Sequence, residues 1–252
     1  MLDFNGQVVI VTGAGSPKGI GRTIAQTFAR QGAQVVICDI NQAGLDANVA
    51  EMEAMGYKVC GLSANLTDKA SVDALIGDVM ARFGRIDVLV NNAGVSQKVT
   101  VADMTLDDIK RVFNVNMFGL FLITQAVCEV MKQQRYGRIV HLSSVSGKRG
   151  GGVFGGAHYS ASKAAVLGFS KNLAREVSQY GITTNCVCPG LINTDIWKSM
   201  PKEQADAVIA GIPMGRPGET QEVADTIVFL ASREASYITG EEIDINGGSH
   251  MD

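Results

Sequence analysis

Histidine, tryptophan and proline are all scarce in this 252-residue chain, with three, one and five copies. The three histidines lie nowhere near a pair of cysteines, so no metal site is expected. Five cysteines (Cys38, Cys60, Cys128, Cys186 and Cys188) are an odd number with no pairing pattern. Cys186-x-Cys188 lacks the CxxC spacing of a redox pair, and four of the five sit in apolar runs that read as strand or helix interior. They are expected to be reduced core residues of a cytoplasmic protein. Positive charge is not in excess: 22 Lys and Arg against 25 Asp and Glu give a net charge of −3. Neither a nucleic acid nor an anionic membrane surface is therefore expected as a partner. The first ten residues lack the basic-then-apolar order of a signal peptide. No apolar stretch reaches membrane-spanning length without polar interruption.

Hydrophobic residues make up 46% of the chain, enough for one large core. Apolar strand-like runs at 8–11, 34–40, 57–63, 86–90, 138–142, 183–187 and 242–245 alternate with helix-period segments. The helices are expected at 20–31, 43–55, 69–83, 105–134, 157–180 and 219–232, the long one kinked or divided near Gly119. The alternation predicts an α/β fold: a single doubly wound, Rossmann-like domain over 1–252 with a seven-stranded, mostly parallel sheet. The irregular stretch 191–218 carries Pro201, Pro213 and Pro217 and is expected to form a substrate lid.

Between the first strand and the first helix runs Thr12-Gly13-Ala14-Gly15-Ser16-Pro17-Lys18-Gly19-Ile20-Gly21. Glycines let the backbone turn sharply and approach a ligand closely. The helix N-terminus then offers unpaired N–H groups and a positive dipole end to a pyrophosphate. Asp39 closes the second strand, where a carboxylate accepts hydrogen bonds from adenosine ribose hydroxyls and repels a 2′-phosphate. That argues for NAD over NADP, although Lys18 in the loop is able to reach a phosphate.

With these residues, five further segments resemble the short-chain dehydrogenase/reductase family, in the family's order and over essentially the whole chain. They are Asn91-Asn92-Ala93-Gly94, Asn116, Ser144, Tyr159-x3-Lys163 and Pro189-Gly190 followed by Thr194. The resemblance implies a catalytic tetrad of Asn116, Ser144, Tyr159 and Lys163. It implies cofactor contacts from Gly13, Gly15, Ser16, Lys18, Gly19, Ile20, Asp39, Asn65, Leu66, Asn92, Ala93, Gly94, Tyr159, Lys163, Pro189, Gly190, Ile192 and Thr194, and a homotetramer. The sequence departs from the family twice. Asn65-Leu66 stands where many members carry Asp-Val, and the interval from Ser144 to Tyr159 is lengthened by Gly150-Gly151-Gly152.

Tyr159 and Lys163 are four apart, so on a helix they share a face. An ammonium beside a phenol favours the phenolate and lowers its pKa from about 10. Ser144 is expected to hold developing charge on the substrate oxygen and Asn116 to position a water. Val95, Gln97, Ser146, Arg149, Val153, His158, Trp197 and Met200 are expected to line the substrate pocket, with Lys148, Arg149 and Lys198 as anion readers. The leading expectation is hydride transfer between NAD(H) and a secondary alcohol or ketone on a small polar molecule such as a polyol, sugar or hydroxy acid. The alternatives are an NADPH-dependent 3-oxoacyl-carrier-protein reductase and a non-catalytic cofactor-sensing regulator.

Overall fold

The computed structural model describes residues 2–194 and 201–251. β1 (Val8–Thr12) is apolar up to Thr12 and buried throughout because it lies mid-sheet, covered on both faces. The other strands are β2 (Gln34–Asp39), β3 (Val59–Ser63), β4 (Val88–Asn91), β5 (Gly137–Leu142), β6 (Ile182–Pro189) and β7 (Glu242–Ile245). They form one seven-stranded sheet in the order β3-β2-β1-β4-β5-β6-β7. Every pairing is parallel, where the sequence suggested a mostly parallel sheet.

The chain order reverses at β1, which pairs with both β2 and β4. Connections leave β1 and β4 toward opposite sides, and a crevice opens beyond their C-terminal ends. On one face pack α1 (Ile20–Arg30) and α9 (Thr220–Ala231), through Ile24, Phe28, Val223 and Ile227. α2 (Gln42–Ala54) adds Leu45 and Met52 there. The opposite face is covered by α3 (Lys69–Phe83), α5 (Leu120–Gln134) and α7 (Ala157–Val177), through Val79, Ile123, Met131 and Val177.

The division expected near Gly119 is a π-helical turn, Asn114–Gly119, between α4 (Leu106–Phe113) and α5. α4 begins at a capping box in which Thr105 and Asp108 satisfy each other's backbone N–H groups. By length and mean hydropathy the run Leu106–Gln134 equals a membrane span. Ile123, Val127 and Met131 are nevertheless buried against the sheet, as in a core helix. Short helices among the described residues include α6 (Val145–Arg149), unforeseen among the glycines, and α8 (Lys202–Ala210).

A buried polar row crosses β4, β5 and β6. Asn91 donates to Thr124 Oγ1 at 2.9 Å and contacts His141 Nδ1 at 3.0 Å. His141 Nε2 lies 3.1 Å from Thr184 Oγ1, which meets Ser170 at 3.2 Å. Burial, and next the Lys163 charge, push the His141 pKa down to about 3, so the ring is neutral and serves as structure. The five cysteines are free thiols; Cys60 is half-buried and the other four are buried.

Candidate active site

A cavity of about 960 Å³ runs from the β1–α1 loop past the ends of β4 and β5 to α8. At one end, Gly13 has φ +66, and a Cβ there would stand 2.6 Å from the Ala93 backbone. A Cβ on Gly21 would stand 2.6 Å from both Asn92 Nδ2 and the Gly13 carbonyl oxygen. These glycines let two loops touch. Asn92 fastens the contact, donating to the carbonyls of Thr12 at 2.8 Å and Gly13 at 2.9 Å. Thr12 Oγ1 accepts from the N–H groups of Asn92 and Ala93, both at 3.1 Å. Ser16, Lys18, Gly19, Ile20, Asp39, Asn65, Leu66, Asn92, Ala93 and Gly94 all face the cavity. A glycine cradle at a helix N-terminus, continuous with a long cleft, fits a dinucleotide.

Gly15 does not line the cavity; its N–H donates to Asp39 Oδ2 at 2.8 Å. Asp39 Oδ1 accepts from the Asn41 N–H at 3.0 Å. Asn65 Oδ1 is likewise engaged by its own turn, accepting from Thr67 Oγ1 at 2.8 Å and Thr67 N at 3.1 Å.

Tyr159 and Lys163 project from the first two turns of α7, and Ser144 caps α6, accepting from Ser146 N at 3.1 Å. All three line the cavity. Lys163 Nζ lies 5.9 Å from the centre of the Tyr159 ring and donates to the Leu142 carbonyl at 2.7 Å. Burial lowers the Lys163 pKa to about 8. The Tyr159 pKa is raised, chiefly by burial, with a hydrogen bond to Ser144 offsetting part of the rise. Desolvation thus outweighs the expected pull of the ammonium, whose nearest partner is a carbonyl rather than the phenol.

Asn116 sits in the π-helical turn, a setting frequent at functional sites. Its amide is used by the chain itself: Oδ1 accepts from Val95 N at 2.8 Å, and Nδ2 donates to Val95 O at 2.9 Å and Ser162 Oγ at 3.0 Å. It therefore holds the strand-end segment that follows Gly94.

A family model described as Enoyl-(Acyl carrier protein) reductase matches residues 13–250. The chain is 41% identical over 250 residues to 3-oxoacyl-[acyl-carrier-protein] reductase FabG of Escherichia coli, covering 99% of this chain and 100% of that protein. It is also 41% identical over 247 residues to the uncharacterized short-chain type dehydrogenase/reductase y4mP of Sinorhizobium fredii, covering 97% and 98%. A crystal structure of gox2181 superposes with a TM-score of 0.94 at 35% identity, covering 98% of this chain and 96% of that one. The chain is a short-chain dehydrogenase/reductase.

Membership in the short-chain dehydrogenase/reductases makes it an oxidoreductase acting on a small molecule, and two finer expectations are corrected. The polyol, sugar or hydroxy-acid reading gives way, because the E. coli protein that matches from end to end carries the name of the acyl-carrier reductase held as the alternative. The NAD reading gives way with it, since that alternative was coupled to NADPH. Its physical basis was the Asp39 carboxylate alone, and that group also serves the protein itself, each oxygen accepting a backbone N–H.

At its other end the cavity is walled by Val95, Ser146, Arg149 and Val153, and by Pro189, Gly190, Ile192 and Thr194 from the end of β6. Gln97 and His158 do not face it. Gln97 donates to Asp108 Oδ1 at 2.7 Å and accepts from Arg111, and His158 Nε2 lies 3.2 Å from Gln97 Oε1. Their polar atoms are drawn to the α4 capping box, and His158 is buried. Trp197, Met200 and Lys198 lie outside the described residues. Lys148 is bonded to Asp244 at 2.9 Å, so its charge is matched internally. Phe154, Ala207, Val208 and Ile212 form an apolar wall that the sequence reading missed. The amphipathic pattern near 204–209 was its only signal.

Proposed function

We propose that this short-chain dehydrogenase/reductase is a cytoplasmic, homotetrameric 3-oxoacyl-[acyl-carrier-protein] reductase that uses NADPH. End-to-end likeness to a reductase of that name carries the reading. The apolar wall of Val153, Phe154, Val208 and Ile212 supports it, because an acyl chain gains from burial there and a polyol does not. In the same reading 201–218, the part of the expected lid that carries Val208 and Ile212, covers the acyl group; residues 195–200 of that stretch lie outside the described residues.

When bound, the nucleotide would supply the hydride that reduction of the carbonyl requires. Tyr159 gives its hydroxyl proton to the carbonyl oxygen, forming the alcohol and leaving a phenolate. A phenol kept protonated by burial is suited to that direction. The Lys163 ammonium, one turn along α7, stabilises the phenolate and orients the nucleotide ribose. Ser144 holds the carbonyl oxygen, and Asn116 fixes Val95 and with it the wall beside the nicotinamide. Gly13, Ser16, Gly19 and Ile20 receive the diphosphate. Leu66, Ala93 and Gly94 flank the adenosine, and Pro189, Gly190, Ile192 and Thr194 receive the nicotinamide amide.

The test is nucleotide oxidation by the purified protein with a 3-oxoacyl thioester, an enoyl thioester and a panel of polyols and hydroxy acids, each with both nucleotides. The expected result is fastest turnover with the 3-oxoacyl thioester and NADPH. Faster turnover of a polyol or of the enoyl compound would overturn the substrate class, and tighter NADH binding would overturn the nucleotide.

A further inference from the structure

The two limbs of the β1–α1 loop are held very differently. Ala14 N–H donates to the Cys38 carbonyl at 3.2 Å, and Asn48 Nδ2 donates to the Ala14 carbonyl at 2.7 Å. Gly15 N–H donates to Asp39 Oδ2 at 2.8 Å. A Cβ at Gly15 would stand 2.7 Å from the Asp39 carboxyl carbon, and one at Gly44 would stand 2.1 Å from the Gly15 carbonyl oxygen. The first limb is thus strapped to β2 and α2 on three sides. The second limb is held by longer contacts, the Gly19 N–H and Asn48 Nδ2 each reaching the Ser16 carbonyl at 3.4 Å.

We propose that Asp39 is a positioning residue that shapes the phosphate loop from within the protein, through Gly15, independently of which nucleotide is present. A carboxylate acting only on the ribose would discriminate between NADH and NADPH and leave the loop alone. A strap acts on the cradle that both nucleotides share, so its loss weakens both. The proposal rests on the dinucleotide site and not on the acyl substrate, so the two fail separately.

Three variants separate these roles: Asp39→Ala, Asp39→Asn and Asn48→Ala. Asn at 39 retains an oxygen able to accept from Gly15 without the charge. Asn48→Ala removes the neighbouring tie without altering charge. Two readouts are needed: hydrogen exchange of the loop amides in protein stripped of nucleotide, and fluorescence titration with NADH and NADPH. Thermal melting shows that each variant is folded. A lost charge-assisted bond predicts loop exchange faster by about tenfold in Asp39→Ala, and a weakening common to both nucleotides of about five- to thirtyfold. Relief of repulsion superimposes a relative gain for NADPH. Asp39→Asn should keep the slow loop exchange and show only the relative gain. Asn48→Ala should show the common loss without the change in preference. Unchanged loop exchange in Asp39→Ala overturns the proposal, as does identical behaviour of the Ala and Asn variants. If Asp39→Ala does not fold, Asn48→Ala and Asp39→Asn still decide: equal losses for both nucleotides in the first and none in the second are required.

Discussion

The two ends of the cavity are made of different material. At the nucleotide end the shape is set by close backbone approach, Gly13 against the Ala93 main chain and Gly21 behind it against the Gly13 carbonyl and the Asn92 amide, with Ile20, Asp39 and Leu66 among the side chains that complete the wall. Chemistry there is tolerated at very few positions, because a single added methyl meets backbone. At the acyl end the walls are side chains on α6, on α8 and on the glycine-rich segment between α6 and α7. At Gly150 and Gly151, which lie outside the cavity wall, an added Cβ meets nothing within 4 Å, whereas at Gly152, which lines it, one would stand 2.7 Å from Ser146 Oγ. One end is specified by backbone approach, and the other by the side chains that face it. Between them stand Tyr159, Ser144 and Lys163, which belong to neither material.

The residues at that boundary should show the largest effect. Tyr159→Phe keeps the ring, which packs closely on Gly155, and removes only the proton. Reduction of a 3-oxoacyl thioester is expected to fall about 10²- to 10⁴-fold in kcat/KM. Nucleotide affinity, read by fluorescence titration, should stay within about twofold. A comparable loss of nucleotide binding would mean that the hydroxyl shapes the cleft rather than moving a proton.

Next in size is a paired test of the two materials. Gly21→Ala drives a Cβ into Asn92 and the Gly13 carbonyl. It is expected to destabilise the fold by about 1–3 kcal/mol and weaken both nucleotides by about tenfold or more. Gly150→Ala meets open space and strains only its own backbone, at φ +73 and ψ 171 a conformation essentially reserved for glycine, at about 1–3 kcal/mol, with nucleotide affinity unchanged. Melting curves and titrations on the two variants compare them directly. Equal nucleotide losses would erase the distinction between the ends.

This contrast also explains what was legible beforehand. The glycine loop, Asp39 and the Asn91–Gly94 segment were readable because close backbone approach admits so few residue types. The i,i+4 spacing of Tyr159 and Lys163 placed both on one face of α7 with no knowledge of the tertiary fold. Gln97 and His158 were misplaced for the converse reason. Their positions after strand ends are right for a pocket, but side-chain direction was decided by Asp108 and Arg111 on α4. The sequence held a hint, since Thr105-x-x-Asp108 is a capping box with an acceptor to spare. Whether an amide turns toward a pocket or toward a cap is a tertiary outcome. Asp39 illustrates the same limit: its place at the end of β2 was clear, but its bond to Gly15 was not.

A moderate effect should appear with pH. Burial brings Lys163 down to about 8, so its ammonium is present below that value and is lost as pH rises through it. The kcat/KM for reduction should decline on the alkaline side with an apparent pKa near 8, approaching tenfold per unit. Stability moves the other way. An unfolded lysine keeps its proton to about 10.4, so between about 8 and 10 the unfolded chain binds more protons, and this group's contribution to stability rises with pH. Activity falling while this contribution to stability rises would mark Lys163 as a functional charge maintained at a structural penalty. An activity profile flat to pH 10 would remove the ammonium from the mechanism.

The smallest effect is expected at Arg149. Arg149 faces the cavity and donates to the Ser249 carbonyl at 2.9 Å, an exposed bond that water replaces readily. Were the substrate a free hydroxy acid, this guanidinium would be its natural partner, and Arg149→Ala would lower kcat/KM by tenfold or more through KM. A 3-oxoacyl thioester has no carboxylate at the reacting end, and in the proposed function its chain would lie against Val153, Phe154 and Val208, which line the cavity. Arg149→Ala should therefore change kcat/KM by less than about threefold with the thioester. Val208→Asp, which places a charge in the apolar wall, should raise KM by about tenfold. If the two results came out reversed, the acyl end would be reading charge rather than chain, and the division between a nucleotide end set by backbone approach and an acyl end set by apolar side chains would fail.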